Sequence, residues 1–225
     1  MVRTTDPDLV VFQEATRPDV IKKVAEATGM TWWVSHPGHS VGAMSRLKIA
    51  HHQWHRPWPS RRAFLEIVPE GDRLRVFGVH LSAVHSNWTE QLRGRELRAL
   101  LSGIERHQHG FHVVTGDFNT LAPGENLDVE RLPYRLQAVV WLTGGRIRWE
   151  TVQILLDAGY VDSYRFLHPG DPGYTFPTWD PHVRLDYAFL PAASRDRLQA
   201  SQVVVAAEGL KEASDHLPLL TEISD

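Results

Sequence analysis

The chain has 225 residues, 42% of them apolar, with a formal charge of -3 and no cysteine. That length and apolar fraction suffice for one sizeable α/β domain with a proper core. The lack of cysteine excludes disulfides and thiolate metal sites, and the mild negative charge argues against a surface coated in nucleic acid by charge alone.

A local basic groove stays open. Only Lys22, Lys23, Lys48 and Lys211 are lysines among the 24 basic residues. Arginine forks suit phosphate oxygens, but a compositional bias of the genome accounts for the arginines as readily. No apolar run approaches the ~20 residues that span a membrane, and no signal peptide is visible. The cytoplasm is therefore favoured, with a lost signal or anchor left open, and a monomer is expected.

Leu9–Gln13 reads as a buried strand. Thr16-Arg17-Pro18-Asp19 reads as a helix start with a Thr cap, and Gly29 ends that helix. Strands are expected at Thr31–Ser35, Val41–Ser45 and Arg62–Val68, the last closing in the turn Pro69–Asp72. Leu74–Leu81 continues as a strand with Leu74, Val76, Gly78 and His80 on one side. Asn87–His107 is the longest expected helix, with Asn87 and Glu90 as its capping pair and Leu92, Leu97, Leu100, Leu101 and Ile104 as its core face. Phe111–Thr115 is a strand, Leu127–Ile147 a helical or looped excursion, and Trp149–Ala158 a helix stopped by Gly159. Leu185–Leu190, Gln202–Ala206 and Leu217–Ile223 read as strands. Many strands with few helices between them do not resemble a repeated βαβ chain.

Polar groups recur at the ends of these strands. His112–Thr120 runs from apolar residues into Gly116-Asp117-Phe118-Asn119, where a carboxylate and a carboxamide two residues apart share one side of an extended chain. Ser214-Asp215-His216 sets a carboxylate beside an imidazole. Gln13-Glu14, His80 and Asp186 likewise stand at or near strand ends, which is how a rigid sheet presents a site.

Taken in order, Glu14, His80, Asp117-x-Asn119, Asp186 and Asp215-His216 resemble the endonuclease/exonuclease/phosphatase superfamily of metal-dependent phosphoesterases. The resemblance covers nearly the whole chain and implies one domain over residues 1–225. The implied fold is an α/β (α+β) four-layer sandwich: two mixed, mostly antiparallel sheets face to face with helices outside.

It also implies roles. Glu14 and Asp215 would serve a hard cation, Mg²⁺ or Mn²⁺. Asp117 would orient or deprotonate the attacking water, and Asn119 would donate to a phosphoryl oxygen. Asp186 would fix and charge the His216 imidazole, and His80 would stabilise pentacoordinate phosphorus or protonate the leaving group. The partner is a phosphate ester, with nucleic acid among the candidates. A phosphodiesterase acting by metal-assisted water attack is the reading this supports. A silent member that binds phosphorylated ligands is its competitor.

The pattern departs from the family at its start. Members carry an Asn on a first strand before the Glu, whereas the first Asn here is Asn87. The first strand is expected to be missing, the N-terminus incomplete, and Met1–Asp8 unable to replace the strand. The second carboxylate that some deoxyribonucleases use to support the His80-type residue has no clear match here, Glu66 being a candidate without supporting pattern. His51-His52-Gln53-Trp54-His55 reads as a solvated or substrate-facing loop rather than a transition-metal site. Trp32, Trp33, Trp54 and Trp58 could stack on bases, with core and loop packing the simpler role.

Overall fold

A computed structural model describes residues 2–71, 74–84, 86–107, 110–132, 134–142, 149–206 and 209–224. It opens with a helical turn, α1 (Val2–Thr5), then β1 (Leu9–Phe12), α2 (Pro18–Thr28), β2 (Trp32–Val34), β3 (Gly42–Ser45), β4 (Ile49–His55), β5 (Phe64–Pro69) and β6 (Arg75–His80). The middle carries α3 (Asn87–Gly103), β7 (His112–Asp117), α4 (Tyr134–Leu142), α5 (Thr151–Asp157), β8 (Tyr160–Asp162) and α6 (Ser163–Leu167). The chain ends with β9 (Asp186–Pro191), β10 (Leu198–Val203), α7 (Leu210–Ala213) and β11 (Leu219–Ile223).

The large sheet has six strands in the order β4-β5-β6-β7-β9-β8, with β6 and β7 parallel and the other pairs antiparallel. Its two faces alternate by residue, as strand geometry requires. Phe64, Phe77, Val79, Val114, Tyr187 and Phe189 pack outward on Leu97 and Leu100 of α3 and Val152 and Leu155 of α5. Leu65, Ile67 and Val76 face inward against Val34, Val41 and Ala43 of the small sheet β1-β3-β2. Val113, Ala188 and Leu190 face inward too, against Leu198 of the β10–β11 hairpin. On the far side of the small sheet, Val24 and Ala25 of α2 pack on Val10, Phe12, Trp33 and Met44. Helix, small sheet, large sheet and helix therefore form four layers, as expected.

The layers come closest at Gly78. A Cβ there would lie 2.8 Å from side-chain carbons of both Val11 and Val41. A glycine is what lets the small sheet sit this low over the strand that ends in His80.

Several expectations shift. The α2 cap is Arg17, with no side-chain hydrogen bond, not Thr16. At α3 the cap is Ser86, which forms a capping box with Thr89, not Asn87 with Glu90. Glu90 instead turns inward, where Arg93 and the backbone take its charge. His51–His55 is strand, not loop, because β4 pairs with β5 along its length. Its alternation was hidden because an edge strand keeps its outer residues, His51 and Gln53, in water. The penultimate strand lies earlier than Gln202–Ala206, since Leu198 and Ser201 are the residues it buries. Within the Leu127–Ile147 excursion α4 is helical; positions 133 and 143–147 lie outside the described residues, as does the last residue of the expected turn at Pro69–Asp72.

Residues 2–5 form a helical turn rather than a strand. Among the described residues β1 pairs only with β3, and β11 only with β10, so each presents one unpaired edge.

Gly116 is the backbone's most constrained position. Its φ is +138°, and a Cβ there would fall 2.1 Å from the Val79 carbonyl oxygen of the neighbouring strand. Gly116→Ala should therefore destabilise the fold by on the order of 3 kcal/mol or more, combining backbone strain with the clash. A urea midpoint within error of the wild type would show that β6 and β7 do not meet as described.

Candidate active site

Three neighbouring strands end at one level. The ladder pairs His80 of β6 with Asp117 of β7, and Asp117 with Asp186 of β9. Each residue shares the inward face of its strand, His80 with Val76 and Gly78, Asp117 with Val113, Asp186 with Ala188. The site thus opens between the two sheet layers, and all three side chains are buried or nearly so.

His216 joins from the loop before β11. Its Nδ1 lies 2.7 Å from Asp186 Oδ2, and its ring packs 4.8 Å from Phe176. One threonine ties both members of this pair. Thr175 Oγ1 accepts from the backbone N–H of Leu185 and of Asp186, while its carbonyl accepts from Leu217 N–H. Thr178 adds two hydrogen bonds to the carbonyls of Ser214 and Asp215.

Asp117 accepts the Asn119 N–H at 2.8 Å and the Asn119 side-chain amide at 2.7 Å. That same amide also donates to the Leu81 carbonyl at 3.2 Å. Both hydrogen bonds of this amide lie inside the protein, where they hold Asp117. Asn119 has φ +52°, which an Asn adopts more readily than most residues. His80 Nε2 lies 3.7 Å from Asp117 Oδ2, and its Nδ1 is buried without a partner among the described residues.

Glu14 and Asp215 stand apart. Both are exposed, and neither belongs to the cluster of Asp117, Asp186 and His216, whose potential ligand atoms lie within 4.8 Å of one another. Glu14 does adopt φ +55°, an uncommon conformation for a glutamate, and Gln13 before it reaches to within 3.0 Å of where a Gly116 side chain would begin. Glu66 does not support His80. It lies on the outer face, buried between His55 and Arg75.

The sequence reading missed the polar scaffold behind the site. Glu96 of α3 accepts the N–H and hydroxyl of Ser82, two residues past His80. Arg93 donates to the carbonyls of Ser82 and Val84. Glu90 pairs with Arg93 and takes the Thr120 hydroxyl beside Asn119, along with Thr151 N–H. On the other flank, buried Arg184 bridges Glu125 and Asp162 next to Asp186. Removing one partner from such a buried set costs about 3–5 kcal/mol, so these loops are firmly fixed. The signal was present: Glu90 and Arg93 continue the apolar stripe of Leu97 and Leu100 at helical spacing.

Electrostatics sort the titrating groups. Burial alone would lower the His216 pKa, but the hydrogen bond and charge of Asp186, joined by Asp117 and Asp215, push it up to about 9. Burial pushes His80 down to about 4, helped by the charges of Arg62 and His216 and opposed by Asp186. Burial, then the Asp186 charge, raises Asp117. At neutral pH the site therefore holds a cationic His216 and a neutral His80.

The stability consequences have opposite signs. The His216 contribution is complete below its ordinary pKa near 6.5 and is lost as pH rises through about 9. The His80 contribution is present above 6.5 and is lost as pH falls toward about 4. In the protein without divalent ions, an NMR titration of the ring protons should show one histidine with a midpoint near 9, absent in His216→Asn. A His216 midpoint at or below 6.5 would contradict the Asp186 pairing.

A sequence model of the Endonuclease/Exonuclease/phosphatase family matches residues 1–216. No curated protein matches the chain. Among solved structures, the 3′ phosphatase NExo from Neisseria, bound to product DNA hairpin, aligns with TM-score 0.72 and 20% identity, covering 97% of this chain and 90% of that one. An AP endonuclease from Archaeoglobus fulgidus aligns with TM-score 0.71 and 17% identity, covering 100% and 91%. A humanized D. rerio TDP2 gives 0.66 and 18%, covering 100% and 88%. At these identities the likeness shows the shared fold.

Proposed function

This chain belongs to the endonuclease/exonuclease/phosphatase family, and on that premise we propose that it is a Mg²⁺- or Mn²⁺-dependent phosphodiesterase. Family membership and the nuclease and phosphatase neighbours support a phosphoester hydrolase. The observation that carries the finer reading is the convergence of His80, Asp117 and Asp186 at three adjacent strand ends, with His216 closed onto Asp186.

The donor set fits a hard cation. Two carboxylates converge within 4.8 Å of each other's oxygens, and the charge of one raises the pKa of the other. Oxygen donors select Mg²⁺ or Mn²⁺ over softer ions. Glu14 and Asp215 would supply oxygens to the ion from the exposed rim, beside the Asp117–Asp186 pair whose charge it would offset. When bound, it supplies positive charge to the phosphoryl oxygens and acidifies a water.

The chain's own groups supply the rest. Asp117, its carboxylate steadied by Asn119, accepts the proton of the attacking water. His216 is held in one orientation through Nδ1, leaving Nε2 to donate to the phosphoryl or leaving oxygen as a cation. His80 stays neutral and offers a hydrogen bond to the developing charge rather than a proton. The lack of the family's Asn before Glu14 and the exposed setting of Glu14 favour a silent phosphate-ligand binder instead.

Hydrolysis of bis(p-nitrophenyl) phosphate should require added Mg²⁺ or Mn²⁺ and disappear in EDTA. Undiminished rates in EDTA would remove the metal assignment. Asp117→Asn should lower kcat by roughly 10³-fold or more with little change in Tm, because the amide has the same shape but cannot take a proton. A variant retaining a tenth of the wild-type rate would place the base elsewhere.

A further inference from the structure

The connection between β4 and β5 is an arm of the sequence Arg56-Pro57-Trp58-Pro59-Ser60-Arg61-Arg62. It leaves β4 after His55 and enters β5 before Phe64, which pair with each other at the sheet end that carries His80. Only β5 separates β4 from β6, so the arm starts about 10 Å to one side of the His80 strand.

The arm is built, not loose. Ser60 is buried, its N–H donates to the Pro57 carbonyl, and its hydroxyl exchanges hydrogen bonds with the Arg62 backbone at 2.8 and 3.1 Å. Two prolines restrict what remains. From this base Trp58 projects 92% exposed, more than any other large apolar side chain described. Among the described residues none of Arg56, Arg61 and Arg62 has an ion pair or side-chain hydrogen bond. This contrasts with Arg75, Arg93, Arg165 and Arg184, which all engage carboxylates.

The two ends of the arm reach known ground. Arg62 precedes Phe64 of β5, the strand that pairs with the His80 strand β6. Arg56 follows His55 at the end of β4, whose Trp54 stacks on the His39 ring at 5.1 Å. Unpaired arginines thus stand at both ends of the arm, one beside the Trp54 strand and one beside the neighbour of the His80 strand, on a chain whose net charge is negative.

We propose that the Arg56–Arg62 arm holds a nucleic-acid strand leading into the site, its arginines on backbone phosphates and the Trp58 indole against a base. Guanidinium forks match phosphodiester oxygens, and an indole face stacks on any base without reading sequence. A small phosphate ester would have no use for charges this far from the scissile bond. A lipid surface is a poorer fit, because Trp58 stands alone among proline, serine and arginine, without the apolar face that membrane insertion needs. This substrate class rests on the phosphoester-hydrolase reading above.

The test is fluorescence anisotropy of a labelled single-stranded oligonucleotide in EDTA, where binding is scored without cleavage, across a salt series. Wild-type affinity should fall linearly with salt on logarithmic axes. Arg56→Ala and Arg61→Ala should each reduce that slope by about 1. Trp58→Ala should weaken binding about tenfold with the slope unchanged. Arg195→Ala, at the opposite end of the sheet, should change neither. All four positions are exposed, so Tm should hold. Binding that survives Trp58→Ala and Arg61→Ala, equal losses in Arg195→Ala, or attachment to anionic phospholipid vesicles without oligonucleotide binding would each overturn the proposal. Arm-dependent binding with no hydrolysis in Mg²⁺ of either the oligonucleotide or a chromogenic diester would keep the arm and remove the esterase reading instead.

Discussion

The register of three strands, β6, β7 and β9, is the constraint on which the site rests. A shift of one residue in any of them would turn its polar end onto the outer face, under α3 and α5. The register is enforced by apolar residues far from the chemistry. Val76, Val113 and Ala188 must face the inner layer, while Phe77, Val114 and Tyr187 must face the helices. Correct burial of those six places His80, Asp117 and Asp186 side by side. Gly78 and Gly116 allow the backbones and sheets to close, since neither position has room for a side chain.

Convergence of charge in a buried place is costly, and the surrounding structure offsets it with hydrogen bonds. Asp117 would be unfavourable as an isolated buried carboxylate; the His216 charge, then the Asn119 backbone and amide and the Arg93 charge, compensate it in part. Asp186 is compensated by His216. The compensation for Asp117 is incomplete, and its raised pKa records the remainder. An incompletely neutralised carboxylate pair is also what a divalent cation would relieve. Behind it, Glu90, Arg93 and Glu96 fix the loops after His80 and Asn119, which lets polar groups be held without relying on loop packing alone.

Much of this was legible in the chain because it lies in local pattern. The apolar runs before Asp117 and before His80 are long enough to read as buried strands, and a polar residue closing such a run is conspicuous. The order of the motifs carried the family and with it the four layers. What escaped notice depends on partners distant in sequence. β4 was read as a loop because its outer histidines are solvated and only pairing with β5 makes it a strand. The competing capping choices at Ser86 and Asn87 differ by one position, and geometry decided for the serine. Glu66, the candidate to support His80, faces the opposite side of the sheet, which only the register of β5 against β6 decides. The commitment of the Asn119 amide to Asp117 and the Leu81 carbonyl follows from a left-handed backbone turn that no composition reveals.

The central claim is that Asp186 and His216 act as one unit beside Asp117. A double-mutant cycle on kcat/KM with Asp186→Asn and His216→Asn measures this directly. If the carboxylate works through the imidazole, the double variant should be scarcely slower than His216→Asn alone, giving a coupling energy close to the whole effect of Asp186→Asn. Losses that simply add would contradict the account, because they would mean that the two residues contribute to the reaction independently.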